Sequence, residues 1–520
     1  MASLDRKLQT CCTSSGLLRP CSMDRLTSLP DELVTRILSM LPTRDAAATQ
    51  VVSKRMSRAF CWITTVDLDD SPVSHLVERF SLFEPFIDNV LHKLSQSQQP
   101  LTRFRLCLGA DKTMRTCFFK SHTCKRACFP EPARLHAWIS YPLAQCGLRE
   151  LDLRFHLKNP AESKLPPEIF ARQSLEVLRL DINFEINGDT DIPVICLPNL
   201  KLLHLRSLVF AEDDFVTRLV SNCPALEDLS ITCWWLKAGS LIISSNSLRR
   251  FVFDIFKYEN EEENSDLVLI DTPNLQYFNY SDNLAFNYIL HLNDLVEACI
   301  YVSHPLQFGT FETSFRKQLS LARALSNVKH LSLLRWSIEG FYYAAKVKDP
   351  LPMFRNLRSL KLGTLCDSLC SARWDLVLLL IFHRSSLLEE LVFEEGFFYP
   401  GGRTCDYHDP NYSHAAPYEA AWEAASWGIT QTIPSCGETH LKRIRIYNCC
   451  GRDRELNMIR FLLGNTPILK EFVISMSKGP YGIGYDAPKF DQFKNKLEEI
   501  PRASNSCSII YSDDEPAWLC

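Results

Sequence analysis

The chain has 520 residues, 46% hydrophobic and 23% charged, ordinary globular values that exclude a protein disordered throughout. Lysine and arginine number 57 against 61 aspartate and glutamate, and a net charge of −4 gives no case for nucleic-acid binding, which wants a strongly basic face. No apolar run approaches the roughly 20 residues a helix needs to cross a bilayer, so no membrane partner is expected. The 21 cysteines are scattered, several inside apolar runs such as Leu106-Cys107-Leu108, which fits reduced thiols and a place in the nucleus or cytoplasm. Residues 1–22 match no organised element and read as a flexible leader.

The first predicted elements lie between Leu26 and Trp62. Ser28 stands before Pro30 and Asp31 in an S-x-x-D start signal, which predicts a helix from near Pro30 with Ser28 at its cap. Leu33, Ile37 and Leu41 recur at i, i+4 and i+8, with Val34 and Leu38 beside them. That apolar stripe is too wide for one packing partner, so part of it is expected to meet another protein. Pro42 stops the helix, Thr43 is placed to cap a short turn over Arg44–Ala48, and Val51–Trp62 carries a third segment. Three short helices are too little for 520 residues and read as a docking module on a larger body.

The spacing L-x-x-LPDEL-x-x-x-IL-S-x-LP-T-x-D-A, followed by Val52-Ser53-Lys54-Arg55, resembles the F-box, over residues 23–66. The resemblance implies docking on the Skp-type adaptor of cullin-RING ubiquitin ligases, and through it a link to cullin and RING subunits. It implies that Leu29, Pro30, Ile37, Leu41, Pro42, Val52 and Ser53 lie at or near the adaptor contact, with Leu33 and Leu38 shared between core and contact. Similar plant proteins carry two tryptophans where this chain has Met56 and Phe60. That departure motivates an alternative, a ligase-independent interaction scaffold with a degenerate F-box.

From about residue 100 one pattern, L-x-x-L-x-L with apolar substitutions, returns in thirteen copies. They run from Leu101/Phe104/Leu106 through Leu178/Leu180, Leu203/Leu205, Phe251/Phe253 and Leu360/Leu362 to Leu469/Phe472/Ile474. The last two positions of each copy alternate with period two, so they are predicted to point inward from a short strand, while the first packs at the turn leading in. One strand per repeat predicts an α/β fold: a leucine-rich-repeat solenoid, a curved parallel sheet with outer helices, over residues 67–396. Its variable strand face is the expected seat of a target protein of unknown identity. Pro198, Pro224, Pro273 and Pro467 each precede a copy and are expected to close one element and open the next. DDFVTRLVSNCP and ELNMIRFLLGNTP have helical apolar spacing before them.

LPNLKLLHLRSLVFAEDDFVTRLVSNCPALEDLSI (Leu197–Ile231) resembles the regular repeats of plant F-box/LRR proteins. His440–Ile474 resembles the FBD segment, with a glycine and an acidic residue before an apolar helix, and Ile433-Pro434-Ser435-Cys436 matches its V-P-x-C entry. The FBD segment is placed at 433–476 and a tail at 477–520. Residues 397–432 form an aromatic insertion with Tyr399, Tyr407, Tyr412, Tyr418 and Trp422, read equally as a contact surface or a covering flap. Tyr258–Asp266 is an acidic loop read as a solvated turn. Cys117, His122, Cys124 and Cys128 lack a C-x-x-C knuckle and read as a basic loop with incidental thiols. Gly479, Gly482 and Gly484 read as a turn. No phosphate loop, zinc-protease helix or nucleophile elbow is present, so no catalytic residue, metal or cofactor is expected, and any ubiquitin transfer would fall to partners.

Overall fold

The computed structural model describes residues 28–70, 77–97, 99–108, 131–155, 165–183, 185–186, 194–210, 214–236, 240–255, 267–282, 287–302, 319–334, 352–363, 382–394, 396, 435–451, 453–478 and 486–512. The leader, the acidic loop, the Cys117 to Cys128 group, the aromatic insertion and the glycine-rich turn at 479–484 all lie outside the described residues. Two compact units are present: Met1–Cys128 with Ala137–Leu148, and Phe129–His136 with Arg149–Cys520.

In the first unit, α1 (Asp31–Met40), α2 (Thr43–Ala48), a 3-10 turn (Thr49–Val51) and α3 (Lys54–Phe60) follow each other closely. Strand β1 (Thr65–Asp69), helix α4 (Val77–Ser95) and strand β2 (Arg103–Cys107) come next, and β1 and β2 pair in parallel. Helix α5 (Pro132–Leu143) brings Trp138, whose Nε1 donates to Asp88 Oδ1 at 2.7 Å. Pro30 is the N-cap residue of α1, with its carbonyl accepting from Leu33 and Val34. Thr43 does not cap α2. It is the helix's first residue, buried, and its Oγ1 accepts from Asp67 N–H at 2.7 Å, tying α2 to β1.

In the second unit, strands and turns alternate. They are β3 (Glu150–Phe155), β4 (Val177–Ile182), β5 (Glu185–Ile186), β6 (Leu202–Phe210), helix α6 (Phe215–Ser221), β7 (Asp228–Leu236), β8 (Ser240–Ser244), β9 (Arg250–Ile255), β10 (Leu267–Asp271), β11 (Tyr277–Asp282) and β12 (Asn287–His291). After these come β13 (Glu297–Val302), β14 (His330–Leu334), β15 (Ser359–Leu362), β16 (Glu390–Phe393), α7 (Ser435–Thr439), β17 (Arg443–Cys449), α8 (Asp453–Gly464), β18 (Glu471–Met476), α9 (Ala487–Glu498) and β19 (Ser508–Tyr511).

The main sheet runs β3, β4, β6, β7, β9, β11, β13 to β19, all parallel, with triplet residues in register. Leu151 pairs with Leu178, Leu178 with Leu203, and Phe251 with Phe278, continuing to Ile444 with Phe472. Every member of all thirteen triplets is buried. The mixed α/β architecture, helices followed by the parallel strands of a leucine-rich-repeat solenoid, matches the expectation.

The prolines have a sharper role than closing helices. Leu200, Leu226, Leu275 and Leu469 each donate their N–H to the carbonyl three residues earlier, at Leu197, Cys223, Thr272 and Thr466. Pro198, Pro224, Pro273 and Pro467 therefore occupy the second position of a β-turn, where a fixed φ suits proline and no donor is lost. The first leucine of each triplet plugs the core as the turn ends.

Two features depart from one strand and one helix per repeat. β8, β10 and β12 form a second, three-stranded parallel sheet, so these repeats carry strands where outer helices were expected. Leu241, Ile243, Val268 and Ile270 alternate inward from it, and that period of two cannot be satisfied by a helix. Within the stretch expected as a tail, the described residues 486–512 join the solenoid, since α9 buries Phe493 and Leu497, and β19 extends the sheet by pairing Ile509 with Phe472.

Candidate docking and recognition surfaces

Helix α1 carries two apolar stripes, not one wide one. Val34 and Leu38 face inward, Leu38 at 3% exposure, whereas Leu33, Ile37 (38%) and Leu41 face out. Leu38, expected to be shared between core and contact, therefore belongs to the core. Pro30, Pro42, Val52 and Ser53 are exposed and Leu29 is half-buried. The helical module also exposes Met40, Val51 (90%) and Trp62, which the spacing argument missed. Val51 and Met40 were detectable as apolar residues flanking helix ends, where no stripe assigns them a partner. Of the twelve large hydrophobics exposed among the described residues, seven fall from Leu33 to Trp62, so they concentrate in this short stretch.

The polar residues of the motif hold the module's shape. Arg55 Nε donates to Asp31 Oδ1 at 2.6 Å and its Nη2 donates to the Leu29 carbonyl, so α3 clamps the start of α1. Ser53 caps α3, its Oγ accepting from Met56 N–H at 3.1 Å. Ser39 Oγ accepts from Thr64 N–H at 3.2 Å at the exit toward β1. Met56 and Phe60, which stand where similar proteins have tryptophan, are both buried in the module's core.

The solenoid's strand face is built differently, from side chains that alternate with the buried leucines. Asp228 on β7 lies 3.3 Å from His204 Nε2 on β6 and 3.7 Å from Arg250 Nε on β9, and the Arg250 guanidinium sits 4.1 Å from the Tyr277 ring centre on β11. Burial pushes the Asp254 carboxyl up, while a hydrogen bond from Ser281 and the charge of Arg206 act against it. Burial alone raises the Cys223 thiol to about 12. Among the described residues no group of three or more His, Cys, Asp or Glu side chains could hold a metal ion.

The FBD signature has a structural role. Asn448, near the end of β17, and Gly451, in the turn to α8, adopt positive φ, of 55° and 77°. Glu455, fully buried, accepts from Cys450 N–H at 3.1 Å and pins that turn. Gly396, at φ 77°, lies so close that a Cβ would meet the Asn448 carbonyl at 3.1 Å. Burial first, and the Glu455 charge second, push the Cys449 thiol well up.

A helical docking module joined to a leucine-rich-repeat solenoid is the layout of a receptor that binds one protein at each part. The F-box domain model matches residues 26–64, the model described as FBD-associated F-box protein At5g56370, LRR repeats, matches 135–362, and the FBD model matches 430–474. The F-box/LRR-repeat protein At4g14103 of Arabidopsis thaliana is 30% identical over 72% of this chain and 92% of its own length. The F-box/LRR-repeat protein At3g59200 of the same plant is 29% identical over 94% of this chain and 88% of its own. The putative F-box/FBD/LRR-repeat protein At3g59240, also from Arabidopsis thaliana, is 26% identical over 96% and 91%. The chain belongs to the plant F-box/LRR-repeat family with a C-terminal FBD segment. Proteins of this family are in general adaptor-type substrate receptors, and an F-box implies binding of a Skp-type adaptor.

Proposed function

We infer that this chain is the substrate-recognition subunit of an SCF-type ubiquitin ligase. The helices α1 to α3 dock on the Skp-type adaptor, the adaptor links the chain to cullin and RING subunits, and the solenoid holds a target protein. The chain does no chemistry in this reading. It raises the effective concentration of the target's lysines near the charged conjugating enzyme, which turns a bimolecular encounter into a local one. The nucleus or cytoplasm is the proposed place of action.

One observation carries the reading. Leu33, Ile37 and Leu41 form an outward stripe on a helix whose inward stripe, Val34 and Leu38, already serves the module's own core. The test is co-purification of the full chain with a Skp-type adaptor, for wild type and for Ile37→Asp/Leu41→Asp. Burying two carboxylates in an apolar contact is expected to weaken binding by ~100-fold or more, with melting unchanged because both side chains are exposed in the free protein. Undiminished binding by the double variant removes the docking assignment.

A further inference from the structure

Three neighbouring strands, β15, β16 and β17, place Ser359, Glu390 and Arg443 in one row across the strand face, and Lys361, Val392 and Arg445 in the next. Glu390 is the anchor of the first row. Its Oε2 accepts from Ser359 Oγ at 3.0 Å, while Oε1 is shared by Arg443 Nε at 3.3 Å and Arg445 Nη1 at 3.5 Å. Lys361 Nζ lies 4.0 Å from Glu394 Oε1. Three cations thus stand over two carboxylates, and the carboxylates are recessed: the Glu390 side chain is 17% exposed against 42% for Arg443. Between Lys361 and Arg445 stands Val392, only 5% exposed, so the accessible part of this row is its two flanking cations.

This differs from the β6 to β11 part of the same face. There Asp228 balances His204 and Arg250, and Arg250 is further engaged on the Tyr277 ring. At β15 to β17 Lys361, Arg443 and Arg445 stand over Glu390 and Glu394, with Glu471 of β18 next to Arg443 in its row, and the carboxylates beneath hold the cations in place before any partner arrives. Such preorganisation lowers the ordering cost of binding, and planar guanidinium groups suit bidentate contact with carboxylate or phosphate oxygens.

We propose that this cluster binds an anionic side chain within an acidic segment of the target protein, seated between Lys361 and Arg445. The proposal rests on the reading of the solenoid as the part that holds the target. Ionic contact there sets specificity and approach, and raising salt weakens it.

The experiment uses the full chain and an array of synthetic peptides whose matched members carry glutamate, serine, phosphoserine or lysine at the same positions. Wild type is expected to prefer glutamate or phosphoserine members over serine members by about tenfold. Lys361→Gln and Arg445→Gln should each erase most of that preference, and Lys489→Gln, on the outer helix α9, should leave it intact. A phosphoserine preference over glutamate assigns a phosphorylated target, and the reverse assigns a plain acidic one. Serine members binding as well as anionic ones, a preference that survives both substitutions, or no binding to any member each overturns the proposal. Binding without an acidic bias removes this inference alone, whereas retained adaptor binding by Ile37→Asp/Leu41→Asp removes the docking assignment alone. Melting curves of each variant separate a lost contact from a lost fold.

Discussion

Helix α1 and strand β4 carry the same kinds of side chain and use them in opposite ways. On β4, Leu178 and Leu180 alternate inward and meet Leu151, Leu153, Leu203 and Leu205 of the adjoining strands, so both leucines are covered by the chain itself. On α1, Val34 and Leu38 are covered, but Leu33 and Ile37, one residue earlier in each turn, keep about two-fifths of their surface exposed. A strand of period two divides its residues between two faces, and repetition supplies the next strand. A helix in a three-helix module has only one side turned to its neighbours. An apolar pattern therefore signals an external partner where the stripes outnumber the neighbours able to cover them, and not merely where leucines are many.

The comparison breaks most visibly at its covered end. Phe278 on β11 packs between Phe251 and Tyr280, with ring centres 5.9 and 5.5 Å away, and is fully buried. Phe278→Ala is expected to lose ~3–5 kcal/mol in urea denaturation through the cavity it leaves. Ile37→Ala should stay within about 0.5 kcal/mol of wild type, since a surface site away from special features costs little. A comparable loss at both positions would mean that the outward stripe of α1 is covered in solution.

A smaller effect separates polar from apolar anchoring. Glu455→Ala leaves the N–H of the buried Cys450 without its carboxylate, and a cost of ~1–3 kcal/mol is expected by the same denaturation measurement. Wild-type stability in that variant would show that the turn between β17 and α8 does not depend on the acidic residue of the FBD signature.

How much of this was legible follows the same physics. The triplets could be read because a strand's period is short and its repeats reinforce one another, and all of them are buried. The rungs at either end were not. Ile63, Val66 and Leu68 keep the spacing on β1 with no leucine before the last position, so they do not stand out, and on β19 the position three residues before Ile509 is Ser506, which breaks the pattern. The second sheet was hidden for another reason: SLIIS and LVLID are short apolar runs, and periodicity alone does not separate a strand from a buried helical turn at that length. On the docking side, the motif located the outward stripe, yet it could not tell Leu38 from Ile37. That distinction depends on where α2 and α3 lie.

The finest test concerns α3, where Met56 and Phe60 stand in place of tryptophans. Both are buried, so the departure from similar proteins falls on the module's packing and leaves the outward residues Leu33, Ile37 and Leu41 as they were. Phe60→Trp adds volume to a filled site, and overpacking of this kind costs ~1–3 kcal/mol. The expected result is a lower melting temperature with adaptor affinity within about twofold of wild type, because α3 would still be clamped to α1 through Arg55 and Asp31. A tenfold gain in adaptor affinity would point the other way. It would mean that the larger ring reaches the adaptor or reshapes the outward stripe, and that this chain carries a weakened F-box whose solenoid works apart from the ligase.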